Sequence, residues 1–396
     1  MNRTLGPRIL VGLLAGLALG AFWPTGAEWV EPVGTLFLRL LKMLIIPLVL
    51  FSMVTAALSA MEAGEGGAKR LAFHTIGYYL LTTALAVTLG LVLVTTIQPG
   101  AGLGLEMGSF DAPAAVERGT SVRDILLSFI PQNPVEALAD GKVLPVIFWG
   151  LLMGFAIGSL GEKGRDAGAF FRTMFEAVMR ITGWVIRLTP YGVFAIVATT
   201  VATRGLEILG GVGKYMVVVI AGLLFHALIT LVLLLKKTGR SPLAYAKTLI
   251  PALLNAFSTA SSSATLPLTM ERVEDAGVSQ RTAKFVLPLG ATINMDGTAL
   301  YEAVAVVFIA QAYGMELSLG SLIVIALTAT LASIGAAGIP EAGLVTMALV
   351  LTAVGLPLEG AGIIIGVDWF LDRFRTTVNV WGDGVGAAVV DASSKR

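Results

Sequence analysis

Sixteen residues near the end of the sequence, DWFLDRFRTTVNVWGD over 368–383, concentrate ionisable groups in an otherwise apolar chain. If this segment is helical, with about 100° between successive residues, six polar side chains fall on roughly one third of the circumference. They are Asp368, Asp372, Arg375, Thr376, Asn379 and Asp383. Charges at membrane depth are costly and usually mark an ion or substrate path. An ion pair between Asp372 and Arg375 is the structural alternative, but it would not require the other polar residues on that face.

A second polar cluster, GATINMDGTALYE over 290–302, interrupts a segment of Val, Leu, Ala and Phe. Glycine weakens a helix, and local unwinding frees backbone carbonyls as oxygen ligands. Asn294 and Asp296 join Asn379 and Asp383 in a set of hard oxygen donors, whereas both histidines lie outside these motifs. We therefore predict an alkali cation rather than a transition metal. The alternative for this cluster is a polar turn or a helix-packing motif.

Glu302 follows this cluster, one helical turn beyond Thr298 on a similar face. A carboxyl held at low dielectric favours its neutral form, so Glu302 is a candidate proton carrier. The alternative is a carboxylate whose charge is satisfied by a neighbour.

These groups lie in a chain of 396 residues, of which 56% are hydrophobic and 13% are charged. Soluble domains carry about 25% charged residues, so the composition indicates a polytopic membrane protein. A net charge of +1 suggests no nucleic-acid partner, and the absence of cysteine excludes disulfides and thiolate metal sites. Apolar runs near the length of about 20 residues that crosses a bilayer predict six simple spans, of which we expect the first to be retained. They cover 9–24, 33–61, 71–97, 143–160, 170–203 and 208–235.

After residue 240, two apolar segments are interrupted by small and polar residues, STASSSATLP over 258–267 and SIGAAGIPEAG over 333–343. Paired interruptions of this kind are typical of binding sites built from discontinuous membrane helices. If both segments are re-entrant hairpins, most connecting Lys and Arg residues lie on the side of the two termini, which is then cytoplasmic. Two simple crossings, the alternative, give a weaker bias.

The serine run of the first interruption has a physical role of its own. Backbone amides at the start of a half-helix can point at an anion, and Ser261, Ser262 and Ser263 add hydroxyl groups. A flexible linker, the alternative, would leave the apolar flanks exposed.

Together these motifs resemble those of the glutamate/aspartate symporters, a dicarboxylate/amino acid:cation family that includes archaeal aspartate transporters and mammalian excitatory amino acid transporters. The similarity covers nearly the whole chain. It includes LLKMLIIPLVLFSMV (40–54), YYLLTTALAVTLG (78–90), SSSATLP, NMDGT, AGIPEAG and DRFRTTVNVWGD.

The resemblance implies an all-α polytopic membrane protein with eight transmembrane helices, two re-entrant helical hairpins and an elevator mechanism in a homotrimer. It implies a scaffold over 1–69 (spans one and two) and 116–205 (spans four and five). The transport domain would comprise 70–115 (span three) and 206–396 (span six, first hairpin, span seven, second hairpin, span eight).

The resemblance also implies residue roles. Asp372 would hold the substrate ammonium and Arg375 its side-chain carboxylate. The rest of the pocket would comprise Ser261, Ser262, Ser263, Thr298, Ile339, Gly343, Thr376 and Asn379. One sodium would lie among Gly290, Asn294, Asn379 and Asp383. A second would use Thr292, Ser333, Ile334 and Ala336, and a third would use Tyr79, Thr82, Thr83, Asn294 and Asp296. Glu302 matches the glutamate of proton- and potassium-coupled eukaryotic members, where archaeal sodium-only members have glutamine.

The sequence thus predicts a symporter, not an enzyme, that takes up L-glutamate or L-aspartate with sodium and a proton. It would lie in the cell membrane with both termini cytoplasmic and would need no cofactor, since sodium ions are coupled substrates. Potassium counter-transport and the preferred acidic amino acid stay open. A C4-dicarboxylate symporter and a neutral amino acid symporter are the alternatives. Asp372 argues against the first alternative, and Arg375 argues against the second.

Overall fold

The computed structural model describes residues 5–63, 69–104, 127, 130–206, 208–334 and 342–394, and every regular element in these ranges is helical. The first helices are α1 (Leu5–Phe22), α2 (Pro24–Ala27), α3 (Glu31–Ala63), α4 (Lys69–Ile97), α5 (Pro134–Ala139), α6 (Val143–Ser159), α7 (Arg165–Ile186) and α8 (Thr189–Arg204). The later helices are α9 (Ile208–Phe225), α10 (Leu231–Lys236), α11 (Pro242–Thr259), α12 (Ser262–Asp275), α13 (Gln280–Ile293), α14 (Asp296–Ala312), α15 (Leu319–Ile334), α16 (Ala342–Ala353) and α17 (Gly362–Ser394). The predicted all-α class is confirmed.

Several of these helices are long and apolar enough to cross a membrane. Among the described residues, four stretches qualify by length and composition, and a bent pair of helices forms a fifth. The four are Glu31–Ser59, Arg70–Ile97, Gly210–Lys236 and Gln280–Ala312. These stretches support the prediction of a multi-pass membrane protein.

The span predicted over 170–203 is bent rather than straight. Helix α7 ends at Ile186 and α8 begins at Thr189, with the two axes bent by 51°. Pro190 occupies the first turn of α8. Proline has no backbone N–H and its ring clashes with the preceding turn, so it kinks or breaks a helix at such a position.

The interruption predicted in the NMDGT segment is present. Helix α13 ends at Ile293 and α14 begins at Asp296. The two residues between them, Asn294 and Met295, have non-helical ψ angles of 86° and 51°. The break places Asn294 and Asp296 at facing helix ends, where backbone groups are left without helical partners.

The two interrupted segments each form a pair of contacting helices. Helices α11 and α12 pack against each other and are joined only by Ala260 and Ser261. Ala260 adopts a left-handed conformation with φ of 49°, which reverses the chain. Helices α15 and α16 also contact each other, and the residues that connect them, 335–341, lie outside the described ranges.

Two stripes of glycine, which the sequence analysis did not consider, allow close helix packing in the first half of the chain. Gly12, Gly16 and Gly20 bring α1 against α8, and Gly150, Gly154 and Gly158 bring α6 against α3. A Cβ built on Gly154 would lie 2.5 Å from the Val54 carbonyl oxygen. Small residues at four-residue spacing permit this approach between membrane helices.

We predict that Gly154→Ala destabilises the protein, because its methyl group would overlap the α3 backbone. Overpacking of this kind costs about 1–3 kcal/mol. Gly183→Ala on α7 is the matched control, since a Cβ there meets nothing within 4 Å. Thermal unfolding in detergent should show a lower midpoint for Gly154→Ala and an unchanged or higher midpoint for Gly183→Ala. Equal midpoints for both variants would contradict the packing argument.

The helices contact one another in two groups. The first group comprises α1, α3, α6, α7 and α8. The second group comprises α4 and α9–α17, and it surrounds α14, which is almost completely buried. The main contacts between the groups run from α16 to α3 and from α17 to α1 and α8. Smaller contacts join α3 to α4, α13 and α15, and α6 to α16. The second group contains the NMDGT break, both helix pairs and the polar face of α17.

Candidate substrate and cation site

The polar face predicted over 368–383 lies on α17 and is buried. Its members are at most 6% exposed: Asp368, Asp372, Arg375, Thr376, Asn379 and Asp383. Buried polar groups are nearly always hydrogen-bonded, so their partners define what this face holds.

Arg375 is paired with two carboxylates and stacked on an aromatic ring. Its Nη1 lies 2.7 Å from Asp368 Oδ1, and its Nη2 lies 2.9 Å from Asp372 Oδ1. The guanidinium carbon is 4.0 Å from the centroid of the Tyr301 ring. The ion pair with Asp372 considered in the sequence analysis is therefore present. Asp368, to which the sequence analysis gave no role, is the second partner and lies two turns before Arg375 on the same face.

The second helix pair covers this guanidinium. A Cβ built on Gly343, in the first turn of α16, would lie 2.5 Å from Arg375 Nη1. Only glycine permits such close approach of the α16 backbone. The predicted pocket residue Gly343 is thus beside Arg375, whereas Ile339 and Ala336 lie outside the described residues.

The tip of the first helix pair carries an unpaired hydroxyl. Ser261 caps α12 by accepting a hydrogen bond from the Ala264 amide at 3.1 Å. The Ser262 hydroxyl is buried and has no hydrogen-bond partner among the described residues, whereas Ser263 is exposed. A buried hydroxyl without a partner costs free energy, so Ser262 is the serine of this run most suited to bind a ligand.

Arg373 anchors the first helix pair on α17. Its Nη1 donates to the carbonyl oxygens of Phe257 and Ser258, each at 3.0 Å. These carbonyls end α11, where a positive charge is favourable. Arg373 therefore lies off the polar face of α17 and contacts the end of α11.

Asn379 joins α17 to the start of α14. Its Oδ1 accepts from the Gly297 amide at 2.8 Å, and its Nδ2 donates to Thr298 Oγ1 at 3.2 Å. This pairing places the predicted pocket residues Thr298 and Asn379 side by side.

Two of the residues predicted for one sodium site, Gly290 and Asn294, lie against Asp383, whereas the fourth, Asn379, contacts Gly297 and Thr298. Asn294 Nδ2 donates to Asp383 Oδ1 at 2.9 Å. A Cβ built on Gly290 would overlap that carboxylate and would lie 2.7 Å from the Tyr79 hydroxyl. The Tyr79 hydroxyl itself donates to the Val286 carbonyl at 2.6 Å. Carboxylate, amide and backbone oxygens suit a hard cation at this position.

The residues predicted for another sodium site converge on Asp296. Its Oδ1 accepts from Thr83 Oγ1 at 2.7 Å and from Thr82 Oγ1 at 3.2 Å. The Thr82 hydroxyl is also 3.4 Å from Asn294 Oδ1. Asn294 therefore contacts both acidic residues, Asp296 through Thr82 and Asp383 directly.

The residues predicted for the second sodium site are only partly described by the structure. Ser333 is buried and donates to the Thr330 carbonyl at 2.9 Å, near the end of α15. Ile334 is half-buried and Thr292 is exposed. Helices α13 and α15 contact each other, but no contact between Thr292 and Ser333 is recorded among the described residues.

His226 is a member of the Asp296 cluster that the sequence analysis set aside. It is 0% exposed, and its Nε2 lies 3.2 Å from Asp296 Oδ2. A lone ionisable residue within an apolar span is a functional candidate by default, so the signal was present in the sequence. Its partner lies 70 positions away and could not be inferred from spacing.

Glu302 is 0% exposed on α14, and neither carboxyl oxygen has a hydrogen bond of standard geometry to a described residue. The Thr346 hydroxyl of α16 and the charges of Arg375 and Asp368 interact with it. The carboxyl therefore lies within electrostatic reach of the pocket but outside its hydrogen-bond network.

We predict that Asp383→Asn weakens sodium-dependent substrate binding, with partial recovery at high sodium. Because cation affinity depends on ligand charge, the half-saturating sodium concentration should rise by about an order of magnitude. Asp391→Asn is the matched control, since Asp391 lies on the same helix but pairs with Arg240 at 3.2 Å. Isothermal titration of substrate at graded sodium would measure both. Normal substrate binding by Asp383→Asn at low sodium would exclude a ligand role.

Known proteins are similar in sequence to most of this chain. A model of the sodium:dicarboxylate symporter family matches residues 5–393. Excitatory amino acid transporter 3 of Mus musculus is 39% identical over 92% of this chain and 79% of its own length. The putative sodium-dependent excitatory amino acid transporter glt-4 of Caenorhabditis elegans is 38% identical over 96% of this chain and 88% of its own length. Excitatory amino acid transporter 3 of Homo sapiens is 38% identical over 92% of this chain.

Proposed function

We propose that this chain, which belongs to the sodium:dicarboxylate symporter family, takes up acidic amino acids together with sodium and a proton. The family consists of membrane transporters, so the protein is not an enzyme. The observation that carries the proposal is a buried arginine, Arg375, bounded by Asp372 on its own helix and by Gly343 of the facing helix pair. The names of the relatives, sodium-dependent and excitatory amino acid transporters, support the same substrates.

An acidic amino acid carries one ammonium and two carboxylates, and the pocket offers opposite charges for them. Asp372 would bind the ammonium, and Arg375 would bind the side-chain carboxylate in bidentate fashion. To do so, the guanidinium must exchange Asp368 for the substrate, since Asp368 now lies 2.7 Å from Nη1. Hydroxyl, amide and backbone groups would complete the pocket. They are Ser261, Ser262, Ser263, Thr298, Thr376, Asn379 and the backbone of Ile339 and Gly343.

Charge balance gives a physical reason for cation coupling. Arg375, Asp368 and Asp372 together carry one net negative charge, and an acidic amino acid brings a second. Uncompensated charge within a bilayer is costly, so substrate and cations each favour the binding of the other, which is a reciprocal linkage. The two sodium positions argued above adjoin this pocket through Asn294 and Asn379. Glu302, when protonated, would add no further negative charge. Potassium counter-transport could accompany the return of the empty transport domain.

The elevator mechanism rests on the two groups of helices. The first group, within 1–69 and 116–205, would be a trimeric scaffold, and the second, within 70–115 and 206–396, would be the mobile transport domain. The helix pairs that contact each other across the two groups do so less extensively than the most closely packed pairs within each group, which suits relative movement. A homotrimer would bury the outer surface of the scaffold and leave each transport domain free.

Two other substrates fit the site less well. A C4-dicarboxylate has no ammonium to pair with Asp372. A neutral amino acid has no second carboxylate to replace Asp368 on Arg375.

Uptake of labelled substrates into proteoliposomes tests the proposal. Aspartate and glutamate should accumulate when sodium is outside, with succinate and alanine as competitors that represent the alternatives. Gradients of sodium, protons and potassium are then varied one at a time. Accumulation of succinate or alanine in preference to both acidic amino acids would overturn the substrate assignment, and uptake without sodium would overturn the coupling.

A further inference from the structure

The Asp296 carboxylate is held from two sides by two different helices. Thr82 and Thr83 of α4 donate to Oδ1, at 3.2 Å and 2.7 Å. On the other side, His226 Nε2 lies 3.2 Å from Oδ2. All four side chains are buried. The two carboxylate oxygens therefore have different partners: the threonines hydrogen-bond to Oδ1, and His226 lies at Oδ2.

The surroundings of His226 assign its tautomer. Its Nδ1 is buried and has no hydrogen-bond partner in the part of the chain that the structure describes. If the proton were on Nδ1, that N–H would be unsatisfied and the Nε2 lone pair would face the negatively charged Asp296. With the proton on Nε2, the ring donates to the carboxylate and leaves only an unpaired acceptor, which is the less costly arrangement. His226 thus donates a hydrogen bond from Nε2 to the Asp296 carboxylate.

The His226 ring projects from an irregular turn of the backbone. His226 begins a π-helical turn, His226–Thr230, between α9 and α10. Such turns are rare and frequently occur at functional sites. The next residue, Ala227, accepts a hydrogen bond from Trp381 Nε1 at 3.0 Å. The turn is therefore fixed to α17, two residues before Asp383.

We propose that His226 is a positioning residue for the cation that binds at Asp296. Donation to Oδ2 fixes the plane of the carboxylate so that Oδ1 faces the Thr82, Thr83 and Asn294 oxygens. A cation entering among these oxygens then meets a ligand already oriented. Partners that orient metal ligands in this way typically change metal affinity about 10–100-fold when they are removed. The inference rests on the proposed sodium coupling and adds a residue that contacts neither substrate nor cation.

Two substitutions distinguish the hydrogen bond that His226 donates from the space that its side chain fills. His226→Gln places an N–H donor at about the same reach from the backbone, whereas His226→Met fills similar space without a donor. His74→Gln is the matched control, because His74 is only half-buried and hydrogen-bonds only the Arg70 carbonyl among the described residues, at 2.7 Å.

The experiment measures thermal unfolding of the purified protein in detergent while sodium chloride replaces choline chloride at constant ionic strength. The half-saturating sodium concentration should rise about tenfold or more in His226→Met and stay within about threefold of wild type in the other two variants. This quantity is read within each variant, so a general loss of stability does not change it. Should the methionine variant not fold, His226→Asn, whose donor is too short to reach Asp296, takes its place with the same expected rise.

Two results would overturn the inference: a half-saturating concentration near wild type in the donor-free variant, or equal shifts in the glutamine and methionine variants. If instead wild type itself gains no stability from sodium, the proposed coupling fails and this inference fails with it. Wild-type stabilisation with no difference among variants overturns the role of His226 alone.

Discussion

Replacing Arg375 with cysteine should abolish sodium-dependent uptake of aspartate and glutamate while allowing exchange of neutral amino acids. Arg375 is the guanidinium on the polar face of α17, and it is 1% exposed. Truncating one partner of a buried, hydrogen-bonded charge pair costs about 2–5 kcal/mol. Affinity for acidic substrates should therefore fall by about two to three orders of magnitude. Cysteine leaves space above Asp372, where a neutral amino acid keeps its ammonium partner.

The neighbouring arginine provides the control for this experiment. Arg373→Cys removes the same charge from the same helix, but its contacts are the carbonyls of Phe257 and Ser258. This variant should keep its preference for acidic over neutral substrates even if its uptake is slower. The measurement is inhibition of labelled aspartate and alanine exchange by unlabelled substrates. Unchanged aspartate affinity in Arg375→Cys would remove Arg375 from the substrate site.

Local sequence patterns predicted those parts of the site that lie on one helix or one turn. The helical spacing of 368–383 was enough to predict the buried face of α17. Glycine and polar residues in a short run predicted the break at Asn294, since each weakens a helix locally. The reversal at Ala260 followed from a run of small residues between two short apolar segments.

Features that depend on distant partners could not be obtained in this way. Asp368 is on the predicted face, but its pairing with Arg375 depends on side-chain directions and not on spacing alone. His226 meets Asp296 only because α9 and α10 pack beside α14. The bend before Pro190 carried a local signal that the search for apolar runs ignored, because hydrophobicity alone does not register a helix-breaking residue.

Glu302 provides the second large effect. Its carboxyl is buried on α14, within electrostatic reach of Arg375 and Asp368 and beside the Thr346 hydroxyl of α16. When a substrate carboxylate binds beside Arg375, the net charge around the guanidinium changes. This change alters the free energy of ionising the Glu302 carboxyl. Sodium and substrate loading would favour the protonated carboxyl, and proton release would precede the return of the empty transport domain. Glu302 would thus link the charge of the pocket to the direction of the cycle.

Glu302→Gln mimics the protonated form and cannot release a proton. We expect substrate binding and exchange to remain near wild type, because the loaded protein already contains the neutral side chain. Net uptake should fall about tenfold or more and lose its pH dependence, since a coupling of about 1–3 kcal/mol is removed from the return step. Exchange and net uptake are measured in the same vesicles at two pH values, with Glu316→Gln, an exposed glutamate beyond the end of α14, as control. Rapid net uptake that keeps the wild-type pH dependence would show that Glu302 carries no proton, and its carboxyl would then be a structural group.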